Sequence, residues 1–122
     1  MKKLMLLFVL AFPMASQADY LDVIGMKMTG ACSMSQYLQA VKDFNEQWGK
    51  SHGYRSEILA PIQSEDVTVY YWVGRTTSAE AFGKGLEEWN RGLTDPNSLS
   101  AKLMARFREC TTILSRSSFS TY

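Results

Sequence analysis

The sequence predicts an α+β domain in the order strand–helix–strand–strand–helix–strand, and three observations carry that prediction. The octapeptide "VTVYYWVG", residues 67–74, is built almost wholly of β-formers. Two long segments, from Ser33 to Gly53 and from Thr77 to Cys110, repeat apolar residues at helical spacing behind capping signals. The remaining apolar runs, at 20–29, 54–62 and 111–119, are short, loosely alternating and bounded by Gly, Pro or polar clusters.

The chain opens on a different signal. Lys2 and Lys3 precede an apolar run from Leu4 to Phe12, and Ser16-Gln17-Ala18 places small residues at the −3 and −1 positions of a cleavage site. These are the marks of a secretory signal peptide over residues 1–18. The run is too short to span a bilayer, which takes about 20 residues. No cysteine follows it to carry a lipid, and the short basic region suits a bacterial export signal, so periplasm or medium is the expected location. Cleavage leaves residues 19–122, one domain with a modest core. It also leaves 11 basic against 12 acidic side chains. With no basic stripe, nucleic acid is not an expected partner, and no later apolar segment predicts membrane attachment once the signal is removed.

"DYLDVIGMKMT" predicts the first strand, Tyr20 to Thr29. In "SMSQYLQAVKDFNEQWGKSHG", Ser33 and Gln36 fit a capping box, in which each side chain satisfies the other residue's free backbone N–H. Met34, Tyr37, Leu38, Val41, Phe44 and Trp48 form the apolar face, the helix ends near Lys50, and Gly53 supplies a left-handed closing residue. "YRSEILAPI" is the second strand, with Pro61 marking an edge or an end, and "QSED" is a polar turn. After "VTVYYWVG", Thr77 and Glu80 fit a second capping box ahead of Phe82, Leu86, Trp89 and Leu93. Pro96 splits this helix, because proline disfavours helical geometry at Asp95. Asn97 or Ser98 caps the second piece, with Leu99, Leu103, Phe107 and Cys110 on its apolar face. "TTILSRSSF" is the last strand.

The order β-α-β-β-α-β is that of the ferredoxin-like fold: an antiparallel four-stranded sheet in the order 4-1-3-2, with helices on one face. That order sets strand 4 beside strand 1, so Cys32, just after strand 1, and Cys110, just before strand 4, become neighbours. In an exported chain with two cysteines, such a pair reads as a disulfide. A nucleophilic cysteine wants a base nearby, and the one histidine, His52, lies at the far end of the first helix. A zinc site wants about four ligands and this chain has one His and two Cys, so no metal is expected.

Strand 3 alternates Val67, Val69, Tyr71 and Val73 against Thr68, Tyr70, Trp72 and Gly74. The helices are expected on the Val-rich side, leaving Tyr70 and Trp72 on an open face for a partner or a ligand. On this element order and the strand "VYYWVG", the chain resembles the dimeric α/β-barrel group of ferredoxin-like proteins. That resemblance implies a homodimer through the sheet faces, with a pocket between sheet and helices in each subunit. Group members include cofactor-independent monooxygenases, haem-degrading monooxygenases and stress-responsive barrel proteins. The haem-degrading members use an Asn on strand 1, a Trp on strand 3 and a His on helix 2. Only Trp72 matches that set, so their activity does not carry over.

The ligand-binding candidates are Trp72, Tyr70, Asn90, His52 and Arg75. Trp72 and Tyr70 suit a dimer interface or a pocket wall, and Arg75 suits an anionic ligand or plain solvation. His52 suits the negative end of the helix dipole. Asn45 and Asn90 interrupt apolar faces, at the wet edge of each or as polar groups in a pocket. No cofactor is expected. The reading that follows is an exported accessory protein that binds a small apolar or aromatic ligand. Its alternatives are a cofactor-independent monooxygenase and an interaction protein using the open sheet face.

Overall fold

The computed structural model describes residues 19–122; the expected signal peptide, residues 1–18, lies outside them. Strand β1 (Tyr20–Met28) is followed by helix α1 (Met34–Gln47), a 3₁₀ turn (Gly49–His52), β2 (Arg55–Leu59) and β3 (Tyr70–Thr76). Helices α2 (Ala79–Leu93) and α3 (Leu99–Cys110) then lead into β4 (Thr111–Ser120). The sheet order is β2-β3-β1-β4, every neighbour antiparallel. This is the expected 4-1-3-2 order read from the other edge, with the second helix broken around Pro96 as predicted.

Local chemistry sets the helix ends. The Ser33 side chain accepts from the Gln36 N–H while Gln36 Oε1 accepts from the Ser33 N–H at 2.8 Å, completing the predicted capping box. Gly53, at φ 61°, closes the 3₁₀ turn in the left-handed region that glycine enters without a steric cost. Ser98 caps α3, accepting from the Ala101 N–H at 3.0 Å. The box expected from Thr77 and Glu80 does not form. Ser78, one residue later, accepts from Ala81 N–H, because Thr76 is still paired with Tyr20 in the sheet and the chain turns only after it.

The larger correction concerns the two faces of the sheet. Trp72 lies opposite Ile24 on β1 and Ile58 on β2, and it packs at 5.0 Å from Phe44 of α1 and 5.3 Å from Phe107 of α3. The Tyr70–Trp72–Gly74 side of β3 therefore faces the helices. Tyr71 and Val73 look the other way, and Val67 and Val69 precede the strand altogether. Both sides of β3 are β-forming and apolar, so composition favours neither. Packing decides: three tryptophans and Phe44 interlock only if Trp72 is inside. Leu38 and Leu99 also leave their expected core faces and are exposed, while Ala40 takes an inward place on α1.

Phe44 is the hub of that core. Its ring contacts Trp48, Tyr54, Trp72, Trp89 and Phe107 at centroid distances of 5.0–5.9 Å, mostly edge-on. Aromatic pairs of this geometry contribute about 0.5–1.5 kcal/mol each beyond the area they bury. The outer face is smaller in character. Leu21, Val23, Tyr71 and Phe119 share it across three strands, beside the Arg75–Glu57 ion pair.

Cys32 and Cys110 are bonded, with Cα atoms 5.2 Å apart across a sequence separation of 78. The same corner is tied by Thr29, whose N–H donates to the Cys110 carbonyl at 2.9 Å and whose hydroxyl donates to Glu109 O at 2.6 Å. A loop of that length gives roughly 4–5 kcal/mol of stabilisation in the chain-entropy model, an upper figure. We expect the Cys32→Ser/Cys110→Ser variant to lose about 2–5 kcal/mol of unfolding free energy in urea. A loss under ~1 kcal/mol would show that the backbone ties alone hold the corner.

Candidate functional site

A cavity of 180 Å³ lies between the inner face of the sheet and the three helices. Its floor is β1, where alternation directs Asp22, Ile24 and Met26 to one side. Phe44 and Trp48 of α1, Trp89 of α2 and Phe107 of α3 supply the aromatic walls, with Trp72 beside the floor. The exposed lining residues Asn90, Ile113 and Arg116 mark the side on which it opens, along the edge strand β4.

One end of this apolar space is polar. Asp22, only 1% exposed, accepts from Arg116 Nε on Oδ1 and from Arg116 Nη2 on Oδ2, both at 2.8 Å. Tyr54 donates to the same Oδ2 at 3.0 Å and accepts from Trp72 Nε1 at 2.8 Å. The four side chains come from β1, β4, β3 and the residue before β2, and the sheet register places the first three. Gly74 makes room for them. A Cβ there would stand 1.7 Å from the Tyr54 hydroxyl, so only glycine lets that ring lie on the strand and reach Asp22.

Electrostatics follow from this arrangement. Burial first, and then the charge of Asp22, pushes the Tyr54 hydroxyl well above the ordinary tyrosine range. Hydrogen bonding to Asp22 likewise raises the Arg116 guanidinium above its already high value. Arg116 also stands over the Phe82 ring at 5.8 Å, which steadies its half-exposed side chain at the mouth. At the other end of the floor, Tyr37 is 1% exposed and its hydroxyl donates to the Met26 sulfur at 3.1 Å. Burial raises its pKa above the usual range too.

Of the residues singled out from sequence, the structure brings Trp72 and Asn90 to the cavity. Tyr70 packs at the border of the core and is not among the lining residues. His52 lies outside, stacked at 4.0 Å on the far face of Trp48. Its Nδ1 is 2.8 Å from Trp48 O, and its Nε2 is 2.5 Å from Glu88 Oε2, so it joins α1 to α2. Arg75 is on the outer sheet face, paired with Glu57 and Asp19. Asn45 is neither wet nor in the cavity: it holds Ser56 of β2 through Nδ2–H···O at 2.9 Å and N–H···Oδ1 at 2.8 Å. Sequence reasoning missed Asp22, Arg116, Tyr54 and Tyr37. A single acidic residue inside the apolar run "YLDVIGM" and the single arginine in "TILSRSSF" were the available signals, once strands 1 and 4 were paired.

Comparison with known proteins gives structural neighbours. SnoaB, a cofactor-independent oxygenase from Streptomyces nogalater, superposes with a TM-score of 0.58 at 12% identity, over 85% of this chain and 93% of that one. This likeness shows the fold. A conserved protein of unknown function from Bacteroides thetaiotaomicron, described as a possible oxidoreductase, gives 0.48 at 12% identity over 88% of this chain and all of that one. A dimeric ferredoxin-like protein of unknown function from Bacteroides fragilis gives 0.43 at 12% identity, over 86% and 95% of the two chains. No family model and no curated protein sequence matches.

Two predictions test the polar end. Removing one partner of a buried pair leaves an uncompensated charge, at about 3–5 kcal/mol where both groups are buried. Arg116 is 47% exposed, so Arg116→Met is expected to cost less, about 2–4 kcal/mol, in urea unfolding. The double variant Asp22→Leu/Arg116→Met should recover most of that loss; if it does not, the pair itself is stabilising. The tyrosines give a pH test. Unfolded tyrosine ionises near pH 10, whereas Tyr37 and Tyr54 are raised in the fold. Their contribution is fully present below pH 10 and is lost as pH rises toward the folded values. Urea midpoints should therefore fall from pH 10 upward, and Tyr54→Phe should flatten that fall. A variant curve parallel to the wild type would disprove the linkage.

Proposed function

We propose that this protein is an exported, disulfide-stapled binding protein that holds one small aromatic molecule in the cavity between its sheet and helices. The observation that carries the reading is the cavity itself: apolar, aromatic-walled, open on one side and polar at one end. Its 180 Å³ sets the scale. A dry engineered cavity of about 150 Å³ accepts benzene, so the enclosed part of this one suits a single substituted ring. Export is supported by the basic and apolar start of the chain, and by a Cys32–Cys110 bond of the kind oxidising compartments maintain.

Homodimerisation belongs to the same proposal. The outer sheet face carries Leu21, Val23, Tyr71 and Phe119 beside the ion pairs of Arg75 with Glu57 and Asp19, and Tyr71 and Phe119 are 37% and 53% exposed. A partner sheet would cover them. Tyr70 and Trp72, expected there from the sequence, serve the cavity side instead.

The second reading is oxygenation of such a ring without a cofactor. It is favoured by one observation, the fold shared with SnoaB, itself a cofactor-independent oxygenase. Under this reading Trp72 and Tyr54 flank the reacting ring and Asn90 meets it at the mouth. Oxygen uptake on adding a dihydroxy-aromatic, slowed by Trp72→Phe, would establish it.

The binding reading is tested by calorimetric titration with phenol, toluene and cyclohexanol, and by native mass spectrometry for a dimer and any retained molecule. The aromatics should bind in the micromolar to millimolar range, with about −4 to −8 kcal/mol. Ile24→Phe fills the floor of the cavity. It should abolish binding while costing less than the ~1–3 kcal/mol of an overpacked core, because the space is already there. No aromatic bound by the wild-type protein would end the proposal.

A further inference from the structure

The cavity has a second polar feature that a purely apolar binder does not need. Tyr37 is buried to 1% exposure, lines the cavity, and among the described residues its hydroxyl finds only the Met26 thioether. Thioether sulfur is a weak acceptor, so a strong donor sits in an apolar space with its bond nearly unspent. Buried hydroxyls usually find an oxygen or nitrogen partner. At the opposite end, Asp22 Oδ1 accepts only from Arg116 Nε, and Arg116 Nη1 has no partner among the described residues. An acceptor lone pair and an N–H donor are therefore both spare at that end.

The separation of the two ends is set by β1. Asp22 and Met26 are four residues apart on one face of the strand, with Ile24 between them. At about 3.3 Å per residue their Cα atoms are ~13 Å apart. That spacing sets the two polar ends on either side of Ile24, so a ligand that meets both must carry polar atoms at opposite ends of its ring. The cavity volume of 180 Å³ agrees with one ring and not with several fused ones.

We propose that the ligand is an uncharged para-substituted phenol: a single ring whose hydroxyl meets Asp22 and Arg116 and whose opposite substituent bears an oxygen that accepts a hydrogen bond from Tyr37. Charge selects the neutral form. Asp22 and Arg116 already cancel, so a hydroxyl can donate to Oδ1 and accept from Nη1 without leaving net charge behind. A carboxylate would face Asp22 across the same space and lose its own hydration on entry. The Tyr37 end likewise offers a neutral donor and no cation. The inference rests on the binding reading above and narrows it to a ligand class.

The experiment is a calorimetric comparison of three probes of similar shape: 4-hydroxybenzaldehyde, 4-methylphenol and toluene. Wild-type protein should rank them in that order, each step about 5–10-fold, the worth of one hydrogen bond of about 1 kcal/mol or slightly more. Tyr37→Phe should erase the step between the first two and leave 4-methylphenol unchanged. Since that hydroxyl bonds only sulfur, the variant should keep its unfolding midpoint. Met26→Leu removes the sulfur and should preserve the ranking or widen it. Equal affinities for the three probes would overturn this inference while leaving the binding reading intact. So would a Tyr37→Phe variant that still prefers the aldehyde. Failure of all three to bind wild-type protein would remove both.

Discussion

A charged side chain with 1% of its surface exposed, Asp22, is the constraint around which this molecule is arranged. Taking a carboxylate out of water costs several kcal/mol unless its lone pairs are met by well-placed donors. Here they are met from distant parts of the chain: Arg116 from β4, and Tyr54 from the turn before β2. Tyr54 reaches Asp22 only because Gly74 leaves room, and its oxygen then fixes Trp72 through the indole N–H. The pair thus orients the aromatic wall as well as neutralising itself. It also requires β4 beside β1, the adjacency that brings Cys32 to Cys110. An apolar pair of similar volume would serve stability as well or better. What the ion pair adds is a polar end to an otherwise apolar cavity.

Much of the architecture was legible because it is written locally. Ser33 with Gln36, Gly53, Pro96 and the β-formers of strand 3 each specify an end, a break or an element by short-range chemistry. Element order then implied the sheet order, and the sheet order implied the cysteine pair. What was not legible is decided at long range. Strand 3 is apolar on both sides, so no pattern within it tells the inner face from the outer. The answer came from Phe44 and Phe107, which close on Trp72 from other elements. The polar end was hidden for the same reason, since Asp22 and Arg116 are 94 positions apart. Tyr54 looked like the first residue of a strand. His52 and Arg75, by contrast, drew notice as isolated polar residues, and each turned out to be satisfied by neighbours outside the cavity.

Turning strand 3 over changes what each face is for. Had Tyr70 and Trp72 been outside, the sheet would offer aromatic anchors to a partner and the interior would be packed with valine. As found, the large rings meet in the interior, where flat surfaces that cannot interdigitate fully leave a hollow beside β1. The outer face keeps Leu21, Val23, Tyr71 and Phe119 beside the Arg75 ion pairs. Cavity and outer face are thus two consequences of one alternation, because a residue that builds one is absent from the other. A one-residue slip in β3 would exchange them and bury Arg75.

The same geometry ranks the two functional readings. Proton abstraction from a bound ring needs a base whose pKa lies near the working pH and which is free to accept. Tyr54 is held protonated by burial and by Asp22, and it spends its proton on that carboxylate. Asp22 is engaged by three hydrogen bonds and a full counter-charge. His52, the one imidazole in the chain, is screened from the cavity by the Trp48 ring and occupied by Glu88. Groups held to one charge state by such partners are good at recognising oxygen and poor at moving protons. An oxygenase built here would need a ring that loses its proton readily by itself, whereas a binder needs nothing that is not already in place. On the proposed binding reading the polar end serves recognition first, and any chemistry would come from the reactivity of the bound molecule.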